Sequence, residues 1–105
     1  MSSNNTDNIL KQANDIVNNR SEEKERKYGP FDESMIKTAQ LASLMSNKTI
    51  TTIDCFHVLI ALKLSRESHC HQRDNLLDAA AYIGAMDNFH DKFGPAAYDD
   101  PTTYS

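Results

Sequence analysis

"CFHVLIALKLSR", Cys55–Arg66, is the stretch whose reading decides the fold. As a strand, "FHVLIAL" would need sheet partners; as a helix, it makes the whole chain α-helical. The run continues without a break through Lys63 and Arg66, which is long for a strand. Thr52 or Asp54 stands at its start, where a side-chain oxygen can accept from the free amides of a first helical turn. The helix reading is the better one. Apolar residues go nearly all the way round it, which predicts the central helix of the core, with His57 buried on it as a core histidine.

Working outward, "SNKTITT" separates this helix from one that starts near Asp32. Asp32 or Glu33 is favourably placed near the positive end of that helix. Met35, Ile36, Ala39, Ala42 and Met45 form its expected buried face. Gly29 and Pro30 stop whatever precedes, because Pro30 pushes its predecessor out of the α region. The charged half of "SEEKERKYGPFDES" either extends the first helix or is a solvated connector; periodicity does not decide. The first helix spans about Thr6 to Arg20, with Ile9, Leu10, Ala13, Ile16 and Val17 in one stripe and Thr6 or Asp7 as cap. Downstream, a fourth helix runs from about Arg73 to His90 and buries Leu77, Ala80, Ala81 and Gly84. Those small residues predict close approach by another helix. "FGPAAYDDPTTYS" has two prolines and no period, and reads as a loosely held tail or an arm onto a partner. The expected fold is all-α: a four-helix, bundle-like single domain with its core at about residues 6–92 and an irregular tail at 93–105.

Length and charge narrow the function classes. A chain of 105 residues fits one domain with a small core, which makes a homo-oligomer an expectation. The formal charge of -4 works against nonspecific nucleic-acid binding, because the summed field repels phosphate. No apolar run approaches the roughly 20 residues that cross a bilayer. "MSSNNTDN" lacks the basic and apolar regions of a signal peptide, so a cytoplasmic protein with reduced Cys55 and Cys70 is expected. Only three glycines occur, with no G-x-S-x-G elbow and no Gly-rich phosphate loop.

Two constellations carry possible chemistry. Asp74, Asp78 and Tyr82 lie at i, i+4 and i+8, one face of a helix. Two like charges so placed need compensation by water, a cationic side chain or a metal, and Mg²⁺ is the natural metal for carboxylates with waters and phosphate oxygens. The plain alternative is that Asp74 caps the helix and Asp78 is solvated. Lys63 and Arg66, at i and i+3, can form an anion site in which Arg66 clamps phosphate or carboxylate. The plain alternative there is that both complement the negative end of their helix, with Lys63 snorkelling. The "HCH" at His69–His71 lacks zinc-ligand spacing; His71 reads as a hydrogen-bond partner or a phosphate contact. Tyr28, before Gly29, can pack its ring and still offer its hydroxyl to a ligand.

"ILKQANDIVNNR", "ERKYGPFDES", "LKLSR" and "H-x-x-DNLLDAAAY" together resemble a family of small bacteriophage proteins over about Ile9 to Met86. That family is similar in organisation to the all-α nucleotide pyrophosphohydrolases of the MazG type, which hold Mg²⁺ with carboxylates on neighbouring helices. Glu22-x-x-Glu25 matches the first half of the MazG signature, and Asp74-x-x-x-Asp78 is the nearest equivalent of the second. The resemblance implies a nucleotide or nucleotide-derived ligand between the third and fourth helices. If the protein is an enzyme, Glu33, Asp74 and Asp78 would hold Mg²⁺, with Asp74 and Asp78 catalytic. Lys63 and Arg66 would neutralise phosphate, His71 and Asn75 would contact the ligand, and Tyr28 or Tyr82 would stack on it. Three readings stay open: a Mg²⁺-dependent pyrophosphohydrolase, a non-catalytic binder that sequesters a nucleotide second messenger against host antiviral defence, and a helical protein-interaction module.

Overall fold

The computed structural model describes residues 8–19 and 22–103, except for the side chains of Glu25, Tyr28 and Thr103. These residues form α1 (Ile9–Asn18), α2 (Glu22–Tyr28), α3 (Phe31–Ser46), α4 (Thr52–His69) and α5 (Arg73–Phe93). Two 3-10 turns follow, Gly94–Tyr98 and Pro101–Thr103. The described residues contain no strand, and the fold is all-α as the helical reading of Cys55–Arg66 requires.

Local chemistry sets the boundaries. Asn8 caps α1, its side chain accepting from the Lys11 amide at 3.0 Å; the expected caps, Thr6 and Asp7, lie outside the described residues. The charged connector is a separate seven-residue helix, α2. Gly29, at φ 74°, then takes the left-handed turn that a side chain would resist, and Pro30 precedes α3. Thr51, one residue earlier than expected, caps α4 in a capping box. Its hydroxyl accepts from the Asp54 amide at 3.0 Å while the Asp54 carboxylate accepts from the Thr51 amide at 2.9 Å.

The helices assemble around α5. It packs against α4 and α1, and the first 3-10 turn folds back onto it. The Lys63–Asp78 pairing across a short connection makes α4 and α5 an antiparallel hairpin. Arg73 donates to Gln12 at 2.7 Å and Asn88 to Asn18 at 3.2 Å, so α1 runs beside α5 in the same direction. Gly84 lies at this contact: Val17 Cγ2 is 3.6 Å from where a Cβ would stand, ordinary van der Waals contact. The core is aromatic at its centre, with Phe56 between Phe31 and Phe89 at centroid distances of 6.1 and 5.8 Å. Met35, Ile36, Ala39 and Ile53 complete it.

Several expectations need correction. Helix α4 is not buried on all sides: Ile53 and Phe56 are buried, whereas Val58 is 65% exposed and Leu62, Leu64 and His57 also face outward. A chain this short has too few elements to cover every face of an 18-residue helix. Met45 is 86% exposed rather than core, because the buried line of α3 runs through Ala39 and Ser43, and two residues further on is about 200° round the helix. The segment after Phe93 is packed, not loose, as far as it is described. Ala97 and Pro101 are fully buried, and Gln40 donates to the Pro101 carbonyl at 2.8 Å.

Candidate functional site

The parallel run of α1 beside α5 leaves a solvent-open groove of about 620 Å³ on one side of the pair. Asp78, Ala81, Tyr82 and Ala85 supply one wall, at i, i+3, i+4 and i+7 on a single face of α5. Asp15 and Ile16 of α1 stand on the other side, Phe31 enters from the start of α3, and Lys24 reaches the groove from α2. Phe31 and Tyr82 stack with ring centroids 6.3 Å apart and planes 20° from parallel, giving an aromatic wall.

The charge pattern is mixed. The Asp78 carboxylate meets the Lys63 ammonium at 3.0 Å, and the Lys63 side chain is 17% exposed against 39% for Asp78. Lys63 therefore carries its charge out of a half-buried position to the groove's acidic residue, and it supplies the compensation that the Asp74/Asp78 spacing demands. Asp15 is held by exposed local contacts, to Lys11 at 3.4 Å and to Asn19, the C-cap of α1, at 3.5 Å. Arg66 is three residues beyond Lys63 and Asp74 four before Asp78, so both continue these faces toward the α4–α5 corner; both are exposed.

Glu67 organises that corner. It accepts from His71 Nδ1, from the Gln72 amide at 3.0 Å and from Asn75 Nδ2 at 3.5 Å. The hydrogen bonds from His71 and Gln72 hold its carboxyl below the usual carboxylate range. His71 and Asn75 are thus engaged in joining two helices.

Of the nine residues expected to form a site, the structure brings Asp78 and Tyr82 into the groove, with Lys63 tied to Asp78. Tyr28's side chain lies outside the described residues. Glu33 does not assemble with the two aspartates. It sits in the first turn of α3, where its charge acts on Lys92. Lys92 is on α5 itself, at ~1.5 Å per residue about 21 Å beyond Asp78 and about 27 Å beyond Asp74. Among the described residues no three His, Cys, Asp or Glu side chains gather to hold a metal. The donors present therefore do not fit a Mg²⁺ ion held by Glu33, Asp74 and Asp78. Burial, with Asp54 beside it, pushes the Cys55 thiol up, leaving an unreactive core thiol.

Phe31 and Asp15 join the groove without having been singled out in the sequence. Phe31 directly after Gly29-Pro30 was a readable cue for a fixed aromatic. Asp15 on the polar side of α1 looks like any solvated residue until α1 is placed against α5.

The fold and groove define a small all-α protein with a lateral, aromatic-walled groove. The chain belongs to the family described as "Domain of unknown function (DUF6378)", whose family model matches residues 8–97, from the cap of α1 into the first 3-10 turn. No curated protein and no solved structure matches it.

Proposed function

We propose that the protein binds a nucleotide or nucleotide-derived small molecule in the α1–α5 groove without cleaving it. One observation carries this reading: the stacked Phe31–Tyr82 pair lines a groove of about 620 Å³, within the size range of small-molecule sites, beside the Lys63–Asp78 pair. A planar base can stack on the aromatic wall. Arg66 lies roughly level with Asn75 in the antiparallel hairpin, about 10 Å along α5 from Tyr82, so an anionic end of the ligand can reach it. The hydrolase reading loses ground because its three carboxylates do not converge. Sequestration of a nucleotide second messenger against host antiviral defence is the role such a binder would serve.

Calorimetric titration with a nucleotide panel, with products resolved after incubation with Mg²⁺, tests the proposal. Binding with intact nucleotide, weakened ~10-fold or more by Tyr82→Ala, is the expected result. Mg²⁺-dependent release of pyrophosphate, abolished by Asp78→Asn, would replace binder with enzyme. Self-association belongs to the same reading, supported by Leu44 and Met45, 71% and 86% exposed on the outer side of α3. Sedimentation should then show an oligomer that Leu44→Glu converts to monomer.

A further inference from the structure

We infer that the groove recognises the nucleoside part of its ligand and leaves the phosphates outside, with Asp15 as a specificity-determining residue. The inference rests on the binding reading above and goes further by assigning which half of the ligand provides the affinity.

Asp15 and Asp78 line the groove from different helices, α1 and α5. Ionised carboxylates only accept hydrogen bonds, so a ligand lying between them needs donors at both ends. A nucleoside has that pattern: a flat ring with N–H groups along one edge and sugar hydroxyls at the other end. The ring matches the Phe31–Tyr82 wall, and the donors match the two carboxylates. Asp78 meets Lys63 at its Oδ2, and a carboxylate offers about four acceptor positions, so one ammonium does not exhaust it. Asp15 is held by exposed i,i+4 contacts with Lys11 and Asn19, long contacts of a kind weak enough to be exchanged for a ligand.

The same charges act against phosphate inside the groove. Among the described residues that line it, two carboxylates face one cation, Lys24, and the Lys63 ammonium is engaged by Asp78. Like charges placed together disfavour the wrong partner. Phosphates would project toward the exposed Arg66, where solvent screening makes each one count for little.

Titration of the full chain with adenosine, guanosine, cytidine and uridine, their mono- and triphosphates, and inorganic tripolyphosphate decides the matter. At least one nucleoside should bind within about 3-fold of its nucleotides, and tripolyphosphate should not compete with it. Asp15→Asn should weaken nucleoside binding about 10-fold while Lys11→Ala does not weaken it, each variant checked for an unaltered melting curve. Affinity that climbs ~10-fold with each added phosphate would overturn the inference but leave the binding reading standing. An unaltered affinity in Asp15→Asn would also overturn it. Absence of binding by every nucleoside and nucleotide would overturn both.

Discussion

Phe56 touches Phe31 on one side and Phe89 on the other, and it is fully buried. Phe56→Ala would leave a void at the junction of α3, α4 and α5, at a cost of about 3–5 kcal/mol, a large share of a stability of roughly 5–15. Urea unfolding should show that loss; a change under 1 kcal/mol would contradict this packing. Asp78 is a different kind of residue. Its pair with Lys63 is more than a third exposed on the aspartate side, so Asp78→Asn should change stability by no more than about 1 kcal/mol. That contrast makes Asp78→Asn a usable binding variant, since its fold survives. Four positions show how far single residues can be read from sequence. Asp78 and Tyr82 were legible as one helical face because i, i+4 spacing is local. His57 and Met45 were misread because apolar neighbours in sequence do not say which face a partner helix covers.

Helix ends and helix contacts give sharper tests. The Thr51–Asp54 capping box satisfies two amides at the start of α4, and Thr51→Ala should cost about 1 kcal/mol by thermal unfolding. Gly84→Ala should act in the opposite sense. The site is helical, and the new Cβ would meet Val17 at 3.6 Å, an ordinary contact, so stability should rise by about 0.5–1 kcal/mol. The α4–α5 corner should respond to acid. Glu67 has a folded-state pKa below its unfolded value, so its contribution is present above the unfolded pKa of about 4.3 and is lost as pH falls through the folded one. Stability measured from pH 6 downward should therefore fall below about pH 4.5, and less steeply in Glu67→Gln. Elements with a hydrophobic period, α1, α3, α4 and α5, were readable from sequence. Helix α2 was not, because seven mostly charged residues carry no apolar stripe.

At the scale of the molecule, the groove exists because α1 lies parallel to α5 on a flank that α3 and α4 leave open, a long-range arrangement that no local pattern encodes. For the same reason Asp15 and Phe31, sixteen positions apart in the chain, become neighbours of one space only in the fold. The segment after Phe93 is the counterpart of this on the other side of the core. Its prolines and lack of period made it look unstructured, yet Ala97 is buried in the core cluster and Pro101 is pinned against α3 by Gln40. Small apolar residues on a chain that turns back need no periodicity to fill a gap; they need only a hydrogen bond to hold the turn. Deleting residues 94–105 would uncover that gap and remove the Gln40 contact, a loss on the order of 2–3 kcal/mol. For a chain of this size that lowers the melting midpoint by roughly 8–20 °C. An unchanged midpoint in the truncated chain would show that the strap adds nothing to the core. Gln40→Ala, which removes the Pro101 bond and leaves the segment in place, should reproduce a minor part of the drop, about 1 kcal/mol. The graded pair of effects separates the burial of Ala97 and Pro101 from the hydrogen bond that holds them in place.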